Sequence, residues 1–118
     1  MASPLWHALI RTHRITSRRK VAHLRKAADW FECWALLRSG GCPGIMYCKG
    51  SEDGVKEWVE CGLRYKDFRL VAKPSLIDSP PSSTDPPGLT ELAAVSDFAE
   101  AMAERGNLLW FERAMGFS

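Results

Sequence analysis

The order of structural elements in this chain is set by residues 39–59, SGGCPGIMYCKGSEDGVKEWV. Glycine and proline concentrate in residues 39–44, which predicts a tight turn, and residues 45–49 form a compact apolar run typical of a strand. Ser51 then provides a helix N-cap, and the two acidic residues that follow it suit the positive end of the helix dipole. The predicted buried face of this helix consists of Val55, Trp58, Val59 and Leu63.

The residues before this stretch predict a strand, a helix and a second strand. Residues 6–13 alternate in polarity as a half-buried strand does. Ser17 is the predicted N-cap of a helix over about residues 18–31, because apolar residues recur there every three or four positions. Residues 33–37 form a short apolar run suited to a strand. The predicted faces of the first strand are Trp6, Ala8 and Ile10 toward the core, and His7, Arg11 and His13 opposite.

The residues after this stretch complete a repeated pattern. Residues 66–73 predict a fourth strand, with Phe68, Leu70 and Ala72 on one side. The predicted order is then βαββαβ over residues 1–74, which is the ferredoxin-like arrangement of the α+β class. It places four antiparallel strands in one sheet with both helices on one face. The other face is left to solvent, to a partner or to the rest of the chain.

The rest of the chain predicts a connection followed by helices. Residues 75–88, together with Pro74, contain five of the seven prolines and are expected to form an extended surface connection. The apolar content beyond it implies that the last helices pack back onto the core, so we expect a single domain. The features predicted within residues 89–118 are a short helical turn capped by Thr90, a helix over residues 97–105 capped by Ser96 and ended by Gly106, and a helix over residues 108–115.

Composition restricts the class of protein. The chain has 118 residues, of which 46% are hydrophobic and 25% charged, as in an average globular domain. Its apolar runs are too short for a membrane-spanning helix. The four cysteines and three histidines lack paired ligand spacing and no secretory signal is visible, so we expect no metal site and an intracellular, nuclear or cytoplasmic protein. The basic first 28 residues also resemble a mitochondrial transit peptide, but residues 5–12 favour a strand over an amphipathic helix.

Charge is distributed unevenly along the chain. The net charge is only +2. Residues 1–74 carry 14 Lys and Arg against 7 Asp and Glu, whereas residues 75–118 carry 2 against 7. The first part is therefore basic by +7 and the second acidic by −5. This division predicts either an anionic partner for the first part or its neutralisation by the second.

No arrangement of residues predicts catalysis. The acylphosphatase-type site of small ferredoxin-like enzymes needs an asparagine beside the sheet, and the single asparagine here, Asn107, lies outside it. The chain has no nucleotide-binding glycine loop and no recognisable nucleophile motif. Cys42 lies in a turn where no neighbour in the sequence would activate its thiol. We therefore expect a protein that is not an enzyme and has no cofactor.

Three segments together resemble a known family. They are residues 16–20, TSRRK, preceded by His13; residues 41–50, GCPGIMYCKG; and residues 64–73, RYKDFRLVAK. In this order and spacing they resemble the C-terminal domain of the pre-mRNA-processing splicing factor of the spliceosomal tri-snRNP. The same domain follows an RWD domain in other eukaryotic proteins. The resemblance covers residues 5–74, and residues 89–118 are similar to the helical extension of fungal RWD-linked members.

The resemblance implies an RNA-binding domain, because the splicing-factor domain binds small nuclear RNA. Two positions depart from the family: Lys49 stands where glutamate is common, and one of two neighbouring histidines is replaced, leaving His13 followed by Arg14. Few aromatic side chains are expected on the sheet surface, so phosphate contacts would dominate and binding would depend strongly on salt. The candidate nucleic-acid-binding residues are Arg11, His13, Arg14, Ser17, Arg18, Arg19, Lys20, Lys49, Arg64 and Lys66.

Two other interpretations stay open at this point. An α+β domain with an open sheet face, or with an acidic helical part, is also typical of a protein-interaction module, here one of an RWD-type protein that binds no nucleic acid. Alternatively, residues 89–118 cover the open face themselves and their acids neutralise the basic surface. The latter arrangement would weaken the RNA hypothesis.

Overall fold

Five strands and four helices make up the part of the chain that the computed structural model describes, residues 4–77 and 85–117. In chain order they are β1 (Trp6–Thr12), α1 (Arg18–Trp30), β2 (Trp34–Arg38), β3 (Gly44–Gly50), α2 (Glu52–Leu63), β4 (Arg69–Leu76), β5 (Gly88–Leu92), α3 (Val95–Glu104) and α4 (Leu108–Met115).

The first two helices begin at the serines that predicted them. The Ser17 Oγ accepts a hydrogen bond from the backbone nitrogen of Lys20 at 3.2 Å, and the Ser51 Oγ accepts one from Gly54 at 3.1 Å. Each bond satisfies one of the N–H groups that the first turn of a helix leaves without a partner. The residues that α1 buries are Val21, Leu24, Ala27 and Ala28.

The sheet has the order β4-β1-β3-β2-β5. The α+β class is confirmed, but the predicted four-stranded antiparallel sheet is wrong, because β5 pairs parallel with β2 and makes the sheet mixed. The edge of β2 would otherwise leave backbone groups unpaired. β5 pairs with this edge: the Gly88 nitrogen donates a hydrogen bond to the Cys33 carbonyl at 2.9 Å, and Leu89 is buried. Thr90 therefore lies in a strand and caps no helical turn.

The position of β4 also differs from the prediction. The strand was expected over residues 66–73 but spans Arg69–Leu76, so Pro74 belongs to it and not to the connection. A proline is tolerated here because β4 is an edge strand, where an N–H group can be missing without breaking a ladder. Irregular pairing with β1 lets two successive residues, Val71 and Ala72, pack against the same core. Of the predicted connection, residues 78–84 lie outside the described part.

Of the two C-terminal helices, only α3 differs from its predicted bounds, because it spans Val95–Glu104 and not residues 97–105. α3 begins after Ala94 without a side-chain cap, so Ser96 lies inside its first turn and the predicted cap is wrong. Gly106, with a φ of +74°, follows the end of α3 as predicted. α4 spans the residues expected for it.

Both faces of the sheet are covered in the described part. On one side α1 and α2 cover Ile10 and Met46, which form a first core together with Trp58 of α2. On the other side α3 and α4 bury residues from three strands, so this face is not open to solvent. His7, expected on the open face, is buried with its ring stacked on Trp110 at 3.8 Å between centroids. The second core comprises Leu9, Leu36, Ile45, Tyr47, Phe98, Met102, Phe111 and Met115.

Candidate nucleic-acid interface

A cleft of about 510 Å³ opens where the end of β1 meets the loop before β3 and the start of β4. Three of the ten candidate residues, Arg11, His13 and Lys66, line it together with Arg69, which was not among the candidates. We call it the basic cleft. Its lining residues are Arg11, Thr12, His13, Cys42, Pro43, Lys66, Asp67 and Arg69.

Two arginines oppose each other across the basic cleft. Antiparallel register pairs Arg11 of β1 with Arg69 of β4, and both are exposed. Neither forms an ion pair with any carboxylate of the described residues. Like charges directly opposite each other destabilise a sheet. A bound anion would remove this repulsion, so the arrangement is suited to a phosphate.

The turn between α2 and β4 presents Lys66 at the rim of the basic cleft. It is held by a hydrogen bond from the Phe68 nitrogen to the Tyr65 carbonyl at 3.2 Å, and the Phe68 side chain is anchored in the first core. Lys66 and Asp67 therefore project outward between two fixed residues. Asp67 is the acidic member of the cleft lining, against three permanent cations.

His13 and Cys42 meet on the other side of the basic cleft. The Cys42 Sγ lies 3.5 Å from Nε2 of His13, within hydrogen-bond distance for sulfur, and Cys42 is exposed. Their loops are joined because the Gly44 nitrogen donates to the His13 carbonyl at 3.2 Å. The side chains of Thr12 and Ile15 leave no room for a Cβ at Gly44, which explains a glycine there. The sequence contained no signal for this contact, because the two residues are 29 positions apart.

The acidic part of the chain binds two of the predicted candidates. Glu91 on β5 accepts two hydrogen bonds from Arg18, at 2.9 and 2.7 Å, and one from the Ser39 hydroxyl at 2.9 Å. Arg25 lies 3.4 Å from the same carboxylate. The hydrogen bonds from Arg18 hold the pKa of Glu91 below its ordinary value. Arg18 is therefore neutralised internally and lies outside the basic cleft.

Lys49, the second of these candidates, is buried and not available to a ligand. Its Nζ forms an ion pair with Asp85 and lies 4.8 Å from the centre of the Trp34 ring. Arg105 donates two hydrogen bonds to the same carboxylate, each 3.0 Å long. Burial raises the pKa of Asp85, but the hydrogen bonds from Arg105 and Lys49 outweigh it and hold that pKa below its ordinary value.

The other five candidates surround the cleft without lining it. Ser17 caps α1, as described above. Lys20 lies 4.9 Å above the centre of the Tyr65 ring. Arg14, Arg19 and Arg64 are exposed.

An exposed tryptophan on α1 was not expected. Trp30 is 82% exposed, and it shares the outward face of α1 with Arg19, His23 and Lys26 at steps of four, three and four residues. The same helical spacing that predicted the buried face of α1 could have revealed this one. A hydrophobic hollow of about 290 Å³ lies beside Trp30, lined by His23, Lys26, Ala27, Trp30, Phe31 and Cys61.

The outward face of α1 is connected to the basic cleft. The His23 Nδ1 lies 2.8 Å from the Tyr65 hydroxyl, and Tyr65 directly precedes Lys66 at the cleft rim. Cations and aromatic rings thus follow one another from the cleft to Trp30. Such an alternation is typical of surfaces that bind single-stranded nucleic acids.

Comparison with known proteins adds no relative to this picture. The chain matches no family model, and no curated protein is detectably similar to it. Within residues 4–77 and 85–117, no group of three or more His, Cys, Asp and Glu side chains is placed to hold a metal ion. None of the helices in that part is both long and apolar enough to cross a membrane.

Proposed function

We propose that this domain binds RNA, with the phosphate backbone in the basic cleft. The observation that carries the proposal is the placement of Arg11 opposite Arg69, with Lys66 at the rim, where none of these three cations forms an ion pair with a carboxylate of the described residues. A fold that places like charges together without neutralising them gives up stability for no structural gain. Bound phosphate groups would neutralise these charges and remove the repulsion.

The internal ion pairs indicate which cations remain available to RNA. The acids of the second part of the chain neutralise Arg18, Arg25 and Lys49, all of which lie away from the cleft. Among the residues that line the basic cleft, Asp67 is the acid, against the three cations Arg11, Lys66 and Arg69. Positive charge therefore remains in the basic cleft, where it can attract a polyanion.

Trp30 provides an exposed aromatic ring on which a base can stack, which the sheet does not offer. Both sheet faces are covered, so stacking on the sheet is impossible, whereas the Trp30 ring is free on α1. Stacking of one base on an aromatic side chain contributes about 1–3 kcal/mol and is tolerant of sequence. Single-stranded RNA leaving the cleft along His23 and Lys26 would reach this ring. The resemblance of residues 5–74 to the RNA-binding domain of the splicing factor supports the same proposal.

The test is a titration of a structured RNA with a single-stranded overhang, at two salt concentrations. With three cations contacting phosphates, we expect the logarithm of affinity to fall with a slope of about −2 against the logarithm of salt concentration. Arg69→Gln should reduce that slope by ~0.7 and weaken binding. Arg113→Gln, an exposed arginine of α4 with the same change in charge, serves as the matched control.

An affinity that is only millimolar, or equal in the Arg69 and Arg113 variants, would refute the proposal. A protein-interaction module would then be the better interpretation, with the hydrophobic hollow beside Trp30 as its contact surface.

A further inference from the structure

Cys42 differs from the other cysteines of the chain in its surroundings. Its thiol is exposed, whereas Cys33 and Cys48 are buried and Cys61 is half-buried. It lies 3.5 Å from Nε2 of His13, and it lines the basic cleft together with Arg11, Lys66 and Arg69. The structure thus combines a nucleophile, a proton acceptor and three fixed positive charges in one solvent-accessible cavity.

These neighbours supply what a reactive cysteine needs. The thiolate, not the thiol, attacks a disulfide, and neighbouring cations or an imidazole favour the thiolate. The ring of His13 is close enough to take up the thiol proton. The cations of the cleft attract any anionic reagent that approaches.

We propose that Cys42 is a modification site that exchanges with small anionic disulfides, and that the basic cleft binds their carboxylates. Glutathione disulfide is the suitable probe, because each of its halves carries more carboxylates than ammonium groups. The cleft volume of about 510 Å³ leaves room for a short peptide chain. The product is a mixed disulfide between Cys42 and the glutathionyl group.

The exchange is balanced without any other reagent. The Cys42 thiolate attacks one sulfur of the disulfide, a new S–S bond forms to Cys42, and the S–S bond of the probe breaks. The second glutathione leaves as a thiolate and accepts the proton taken up by His13. The protein thiol is oxidised and one half of the disulfide is reduced. A free thiol in excess reverses the reaction by the same route.

The modification would place an anionic group where RNA phosphates are proposed to bind. The exchange itself does not depend on RNA binding and is measured without RNA. Its effect on RNA affinity rests on the proposed function. A cleft that reacts but binds no RNA would therefore count against the proposed function alone.

The experiment measures the rate of modification of the intact protein by mass spectrometry, with peptide mapping to assign the cysteine. Wild type, Cys42→Ser and Arg69→Gln are compared with Arg113→Gln as the control. Each protein reacts with glutathione disulfide and, separately, with hydroxyethyl disulfide, which is uncharged. Dividing the two rates removes any difference in the exposure of the thiol.

We expect Cys42 to react with glutathione disulfide about tenfold faster than Cys61 in wild type, because only Cys42 combines exposure with a nearby imidazole and cations. Arg69→Gln should lower the ratio of the two rates by about threefold, and molar salt should abolish the preference for the anionic disulfide. The salt comparison needs no variant and stands even if Arg69→Gln folds poorly. Equal rates at Cys42 and Cys61, or a ratio that salt and Arg69→Gln leave unchanged, would overturn the proposal.

Discussion

Arg11 of β1 and Arg69 of β4 are register partners in an antiparallel pair, and both face the same basic cleft. Strand pairing normally places opposite charges or apolar residues opposite each other. This pair therefore lowers the stability of the free protein but is suited to binding an anionic ligand.

Arg69→Glu should stabilise the free protein while it weakens RNA binding. The substitution replaces a repulsive cross-strand pair with an attractive one, which contributes about 0.2–1 kcal/mol to the free energy of unfolding. Urea denaturation at low salt measures the gain, and it should shrink as salt rises. If the variant is less stable than wild type at low salt, the two guanidinium groups do not repel each other and do not form an anion site.

Trp30→Ala should weaken binding of an RNA with a single-stranded overhang by ~1–3 kcal/mol, the contribution of one stacked base. Stability should hardly change, because the side chain is 82% exposed. Leu109→Ala is the matched control, since Leu109 is 70% exposed on α4. Fluorescence titration with a fully paired duplex should show no difference between wild type and Trp30→Ala. Equal loss on duplex and overhang would argue against stacking.

Glu91→Gln should remove acid-sensitive stability. The pKa of Glu91 lies below its ordinary value of 4.5, chiefly because of the hydrogen bonds from Arg18. The contribution is therefore complete at neutral pH and is lost as the pH falls through the lowered pKa. We expect the variant to be about 1 kcal/mol less stable at pH 7, and to lose less stability than wild type between pH 5 and about pH 3. Thermal unfolding across this range measures both, with the exposed Glu100→Gln as control.

Asp85→Ala should be among the most destabilising single substitutions. It leaves Lys49, only 6% exposed, without its partner, and a buried charge that loses its partner costs about 3–5 kcal/mol. Lys49→Met combined with Asp85→Ala should recover much of this loss, because no buried charge then remains at position 49. Chemical denaturation of the two variants is the measurement. A double variant as unstable as Asp85→Ala alone would show that Arg105, not Lys49, depends on the carboxylate.

How far the sequence predicted this fold depended on whether the signal was local. The serine caps at Ser17 and Ser51 were found because a cap involves residues three positions apart. The sequence does not indicate β5, because five residues beside a proline-rich segment carry almost no periodicity of their own. Gly88–Leu92 is a strand because it pairs with the edge of β2 that would otherwise be unpaired. Trp34 of β2, the register partner of Gly88, lies 54 residues earlier in the chain.

The candidate site was predicted less completely, for a related reason. The sequence showed that the first 74 residues are basic and the rest acidic, but it contained no information on which cations the acids would reach. Arg18 and Lys49 were expected in the site and are neutralised by Glu91 and Asp85. Arg69 was not expected there and lines the cleft.

By itself, the sequence determined the α+β class, the two capped helices, the final helix and the division of charge, because these depend on spacing and composition over a few residues. The tertiary structure alone decided that β5 extends the sheet in parallel, that α3 and α4 cover its second face, and that Arg11 meets Arg69 while His13 meets Cys42. These contacts join residues far apart in the chain. They follow from strand register and from the burial of apolar surface, which are properties of the folded molecule as a whole.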